Sequence, residues 1–272
     1  MPSESADTPR ICLGAGAQTD EAGMRRLKQI GVDHVIMGGP RIPWNEADLR
    51  SLLDRFRAGG LTVCNLMITG FDDVIWGRPG ADAQIADVIT SIRAAGRLGL
   101  PVVEYNFYAH RLIEGYKEET GRAGAGYTAY DYSGARNLPP REGVGTHTRA
   151  DQLERAKHFL KAVVLEAEKA NVRLALHPND PPVPLSRGSE QLMATFEHWK
   201  EYLSLVDSPH NGMTFDCGVT RELGEDPVAV CRYLGERDST TRRMMEGILA
   251  MEEEHADDLA NLLTALDPRE KV

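Results

Sequence analysis

The chain has 272 residues, of which 42% are hydrophobic and 26% charged, and its formal net charge is −10. These are globular proportions. No apolar run reaches the about 18 residues of a membrane span, and the acidic balance speaks against a partner held through nucleic-acid phosphates. The opening MPSESADTPRICLG lacks the basic flank and apolar core of a secretory signal, and Cys12, Cys64, Cys217 and Cys231 are widely spaced with no C-x-x-C pair. A reduced, cytoplasmic protein is expected.

Strand-like and helix-like stretches alternate from the start. Residues 11–15 (ICLGA) read as the first strand, and residues 20–30 as a helix with Met24, Leu27 and Ile30 on one face. Residues 33–39 form the second strand, 45–58 a helix, 61–67 the third strand, 81–98 a helix and 101–107 the fourth strand. Residues 108–147, rich in Gly, Tyr and charge, read as one long loop, either a lid over a site or a disordered insertion. Thr148 with Asp151 predicts a capped helix running to Ala170. Strand five follows at 172–178, a helix at 189–206, strand six at 212–218 and a short helix at 226–234. Six strand–helix units without a hairpin signal predict a parallel α/β sheet. A full (β/α)8 barrel takes about 250 residues; with the long loop and the tail set aside, the expected fold is an incomplete barrel of about six βα units.

In such a fold the chemistry gathers at the carboxyl ends of the strands. Three of these ends carry polar side chains: Glu104-Tyr105-Asn106, His177 with Asn179-Asp180, and Asp216-Cys217. A His and a Cys on neighbouring strand ends are a donor pair for one divalent metal with a position left open to substrate. The three prolines of HPNDPPVP (177–184) stiffen the loop that follows the His, and Arg187 beyond it offers a planar fork for an anion. The plainer alternatives stay open: a hydrogen-bonded turn histidine, a buried cysteine and a solvated arginine. Trp44 and Trp76 either border the cleft or are rim or core aromatics.

The stretch LALHPNDPPVPLSRGSEQLMATFEHWKEYLSLVDSPHNGMTFDCGVTRELGEDP, with VVEYNF upstream, resembles the D-mannonate dehydratase family of xylose-isomerase-like TIM barrels over roughly residues 10–237. The resemblance implies a metal-dependent hydro-lyase that converts D-mannonate to 2-dehydro-3-deoxy-D-gluconate with Mn(II) or Fe(II). It implies His177 and Cys217 as metal ligands, and Asn106, Asp180 and Arg187 as contacts to a small anionic sugar acid. The family's later H-x-H stretch, Asp and Tyr have no counterpart after Asp238, so its acid/base residues are not assigned here. A sugar isomerase or epimerase of the same superfamily and a non-catalytic remnant are the alternative readings.

Residues 238–272 read as a separate piece. Over 239–266 a helical pattern puts Met245, Ile248, Glu252, His255, Leu259, Leu262 and Leu266 on one stripe. This segment resembles the last helix of bacterioferritin- or Dps-like proteins, which implies an inward Glu-x-x-His pair at Glu252 and His255. Exposed sheet edges and this helix are two routes to a homo-oligomer.

Overall fold

Alternation of strand and helix organises residues 10–237, the part of the chain that the computed structural model describes. The order begins β1 (Cys12–Gly14), α1 (Glu21–Gln29), β2 (His34–Gly38), α2 (Glu46–Ala58), β3 (Thr62–Ile68), α3 (Asp72–Trp76), α4 (Ala81–Arg97) and β4 (Val102–Tyr105). An insertion follows, with β5 (Tyr116–Thr120), β6 (Gly126–Tyr130) and α5 (Tyr132–Ala135). Then come α6 (Arg149–Ala170), β7 (Arg173–Leu176), the two-residue strands β8 (Leu185–Ser186) and β9 (Ser189–Glu190), α7 (Phe196–Ser204), β10 (Asn211–Met213) and α8 (Cys217–Glu222). A last helix, α9 (Pro227–Arg237), belongs to a second unit of the chain, Met1–Arg10 with Asp226–Val272. It opens with Pro227 in its first turn, and the Asp226 carboxylate accepts the Val228 N–H at 3.0 Å. The 239–266 stripe, with Glu252 and His255, lies outside the described residues.

Strands β1, β2, β3, β4, β7 and β10 form one sheet in that order, every neighbouring pair parallel. Sequential order with helical crossovers is the winding of a (β/α)8 barrel, so the fold class read from the sequence is present. One face of the sheet is sealed. Val35, Val63, Leu66, Ile68, Val103, Tyr105, Leu174 and Leu176 are all buried, and Tyr105 meets Phe159 of α6 with ring centroids 5.7 Å apart. The alternate residues, among them Ile36, Cys64, Asn65, Ala175, His177 and Thr214, are half-buried. The sheet thus keeps its polar, accessible side chains on the face away from the helices.

The helices start where short polar side chains stand ready to accept backbone N–H groups. Asn45 caps α2 through the N–H groups of Ala47 (2.8 Å) and Asp48 (3.2 Å). Thr148 caps α6 through the Asp151 N–H at 3.1 Å, as its spacing predicted. Each such cap contributes about 1 kcal/mol. Helices α4 and α6 come together at Gly96, where a Cβ would overlap the carbonyl and Cβ of Ala170.

Three stretches differ from the sequence reading. The 108–147 loop contains a hairpin and a short helix, set on a small core of Leu112, Ala135 and Val183 against which Tyr130, Tyr132 and Leu138 pack. The charged strand YKEET hides its alternation, so composition alone reads as loop. The helix read over 189–206 begins only at Phe196, because Ser189 and Glu190 belong to the β8–β9 hairpin. Arg187 and Gly188 turn it with φ of 47° and 81°, the left-handed pair that a two-residue hairpin needs. Strand six stops at Met213 because the Asp216 carboxylate accepts the Val219 N–H at 2.9 Å and starts α8. Trp44 is core, its indole donating to the Pro40 carbonyl at 2.9 Å. Among the described residues no helix is long and apolar enough to cross a membrane.

Candidate active site at the carboxyl ends of the strands

The ends of β4, β7 and β10 bring three polar groups to one side of the sheet. Glu104, second from the end of β4, is buried but fully engaged. Its carboxylate accepts Asn65 Nδ2 from β3 at 3.0 Å and Thr214 Oγ1 beyond β10 at 2.6 Å. These bonds tie three strands together across the half-buried face and satisfy a charge that would otherwise be costly to bury. Asn106 follows one residue after β4 and donates to Met67 Sδ at 3.4 Å. A thioether is a weak acceptor, so this amide is held lightly.

His177 follows β7 directly, and its N–H still bonds to the Tyr105 carbonyl at 2.8 Å. Its Nδ1 lies 2.9 Å from the Pro178 carbonyl. A carbonyl can only accept, so Nδ1 carries a hydrogen. Nε2 faces Asp216 Oδ2 at 3.9 Å, with the two side chains 24% and 32% exposed. Cys217 is the next residue, already the first of α8 and exposed. Glu222, on the same helix, was not singled out from sequence. Partial burial and the charges of Asp180 and Asp216 push its carboxyl above the usual range. Among the described residues no group of three or more His, Cys, Asp and Glu is gathered closely enough to hold a metal ion.

The other two expected site residues are bound into the loops. Asp180 accepts Arg111 Nη2 at 2.9 Å and the Tyr116 hydroxyl at 2.7 Å. Burial and then the Asp180 carboxylate push the Tyr116 hydroxyl up to about 12. Arg187 donates to Glu114 through Nε at 2.7 Å and to the Pro139 carbonyl at 3.0 Å. Burial pushes the Glu114 carboxyl up, but the bond and charge of Arg187, a backbone hydrogen bond and the His110 bond together outweigh it and hold the group below the usual range. Both residues therefore clamp the 108–147 insertion onto the segment that follows His177.

That insertion walls a cavity of about 610 Å³, lined among others by Trp76, Tyr108, His110, Arg111 and Arg141. Arg141 meets His110 Nδ1 at 3.0 Å and forms no ion pair among the described residues. Burial, and then the Arg141 and Arg187 charges, lower the His110 pKa against the pull of Glu114. Arg141 can only donate, so His110 Nδ1 accepts in this contact. Of the aromatics expected near the cleft, Trp76 borders this cavity and Trp44 does not.

Comparison with known proteins finds likeness over much of the chain. The family model for D-mannonate dehydratase (UxuA) matches residues 145–245, which include β7, the HPNDPP loop and β10. A mannonate dehydratase of Thermotoga petrophila is 27% identical over 263 residues, covering 81% of this chain and 71% of that protein. The crystal structure of mannonate dehydratase from Streptococcus suis serotype 2 superposes with a TM-score of 0.75 at 24% identity, covering 84% of this chain and 70% of that one. A xylose isomerase-like TIM barrel protein from Mycobacterium smegmatis, solved in complex with magnesium, matches in fold with a TM-score of 0.51 at 14% identity over 85% of this chain and 73% of that one. The chain is therefore similar in sequence to the D-mannonate dehydratases and shares the fold of TIM-barrel proteins.

Proposed function

We propose that the chain is a metal-dependent carbon–oxygen lyase that dehydrates D-mannonate to 2-dehydro-3-deoxy-D-gluconate. The observation that carries this reading is His177. It stands at the end of a parallel strand, its Nδ1 hydrogen is directed at the Pro178 carbonyl, and its Nε2 lies 3.9 Å from Asp216 Oδ2. A histidine ligand needs this tautomer. The family's metal is Mn(II) or Fe(II) in this reading, and it supplies Lewis acidity toward the hydroxy-acid end of the sugar acid.

The chain's own groups bind and orient. His177 would be one ligand of the ion, with Cys217 the second ligand read from the sequence and Asp216 beside them. Asn106 can exchange its weak sulfur contact for a sugar hydroxyl. Arg141, beside His110, offers its charge to the carboxylate from the cavity side. Asp180 and Arg187 act by clamping the insertion, which keeps water away from the strand ends. We place the protein in the cytoplasm, on the reduced state of its cysteines, and treat residues 238–272 as a separate piece.

Incubation with D-mannonate and Mn(II) or Fe(II) under anaerobic reducing conditions tests the reading. The expected product is the keto-deoxy acid, seen in the thiobarbiturate assay. Deuterium uptake at C2 without loss of water favours a sugar isomerase or epimerase. Neither product from a folded, metal-loaded chain leaves the non-catalytic reading.

A further inference from the structure

We infer that Cys12 and Cys64 form a dithiol site that a thiophilic trivalent metalloid, of the class of arsenite and its aryl derivatives, bridges covalently. This site is independent of the lyase reading. The two sulfurs lie 3.2 Å apart although the residues are 52 positions apart in the chain. Both thiols are reduced and half-buried.

The sheet builds this contact across an intervening strand. β1 and β3 are not neighbours, because β2 lies between them. The register pairs Val35 with Val63 and Ile36 with Asn65, so Cys64 is the extra residue of a bulge. A bulge re-aims the side chain of its unpaired residue. The Cys64 thiol donates to the Val35 carbonyl at 3.4 Å, which carries it over the middle strand. There it meets Cys12, which sits level with His34 on the far side of β2.

Distances decide which chemistry this pair suits. Strands two apart in a sheet stand roughly 9 Å from each other, whereas a disulfide joins Cα atoms about 4.4–6.8 Å apart. Oxidation to a disulfide would therefore have to move strands. A trivalent metalloid takes the pair as it stands, since its bonds to sulfur lie nearly at right angles and hold two sulfurs in close contact. The step needs no oxidant. An aryl arsenoxide and two thiols give two As–S bonds and one water, which carries off the arsenoxide oxygen and both thiol protons, and arsenic stays trivalent. Once the first bond has formed at Cys12, the second closes within the chain at high effective concentration. The Cys64 thiol, pushed up to about 12 mainly by burial, then reacts without having to be a good nucleophile on its own.

Phenylarsine oxide tests the assignment. The reduced full chain is treated with one equivalent and then with excess 2-mercaptoethanol, which strips arsenic held by a single thiol. Intact mass is expected to show one phenylarsenic group per chain, removed by 2,3-dimercaptopropanol. A tryptic digest is expected to contain the Cys12 and Cys64 peptides joined through arsenic. Occupancy should fall to background in Cys12→Ser and in Cys64→Ser and stay at the wild-type level in Cys217→Ser. No retained arsenic on the folded wild type, arsenic retained in either of the first two variants, or a joined pair that includes Cys217 or Cys231 overturns the assignment. The wild-type digest decides the matter even where a serine variant fails to fold.

Discussion

Asp180 and Arg111 meet through two bonds. Arg111 Nη2 donates to the Asp180 carboxylate and Arg111 Nε to the Asp180 carbonyl, each at 2.9 Å. With the Tyr116 hydroxyl on the other carboxylate oxygen at 2.7 Å, one aspartate three residues past His177 secures the whole insertion. Asp180→Ala is expected to cost about 1–2 kcal/mol, the low end for bonds to a charged group because Arg111 is 47% exposed. Urea unfolding reads that loss, and limited proteolysis within 108–147 should accelerate. An unchanged midpoint and cleavage rate would mean that the clamp is idle.

Behind the sheet, the hydroxyls of Tyr105 and Tyr202 bond to each other at 2.9 Å with both side chains buried. Removing either hydroxyl strands the other without water. Tyr202→Phe and Tyr105→Phe are each expected to lower stability by about 1–3 kcal/mol, and the double variant by less than their sum. Strict additivity in thermal or urea unfolding would contradict the pairing.

Close packing of α4 on α6 makes a sharper demand at Gly96. The overlap of a Cβ there with the Ala170 backbone predicts that Gly96→Ala destabilises by about 1–3 kcal/mol. Helix propensity alone predicts a gain of up to about 1 kcal/mol, so the sign of the shift in midpoint separates the two effects.

Thiol reactivity distinguishes the cysteines. Burial, and then the Cys12 thiol 3.2 Å away, push the Cys64 thiol up to about 12, while Cys217 is exposed. At pH 8 Cys64 should carry on the order of a thousandfold less thiolate than an ordinary cysteine. Timed alkylation with peptide mapping is expected to label Cys217 early and Cys64 late. The reverse order would show that β1 and β3 open readily.

Glu222 sets a pH dependence. Its carboxyl is raised in the folded chain, so between the ordinary carboxyl range and that raised value the folded state binds more protons than the unfolded. Stability therefore falls as pH rises through this window. Glu222→Gln should raise the melting temperature of metal-free protein near neutral pH, and the gain should shrink toward acid. A gain that is constant with pH would place Glu222 away from Asp180 and Asp216.

Six parallel strands and the capped helix at Thr148 were legible because apolar periodicity and capping chemistry are local. His177 was legible because its loop is stiffened by prolines visible in the sequence. The β5–β6 hairpin was not, since its strand YKEET is charged and its support, from Val183 and Leu112, comes from distant residues. The ties of Asp180 to Arg111 and of Arg187 to Glu114 span 69 and 73 residues, and no spacing rule reaches that far. Asp216 had a signal: an acidic residue just before a short helix is a cap, and a cap fixes where its second oxygen points.

Metal content of the purified chain, with and without His177→Ala, bears most directly on the account. The account predicts bound Mn(II) or Fe(II) in the wild type, falling to background in His177→Ala with the fold and melting transition retained. Metal retained at wild-type stoichiometry in the variant would contradict it.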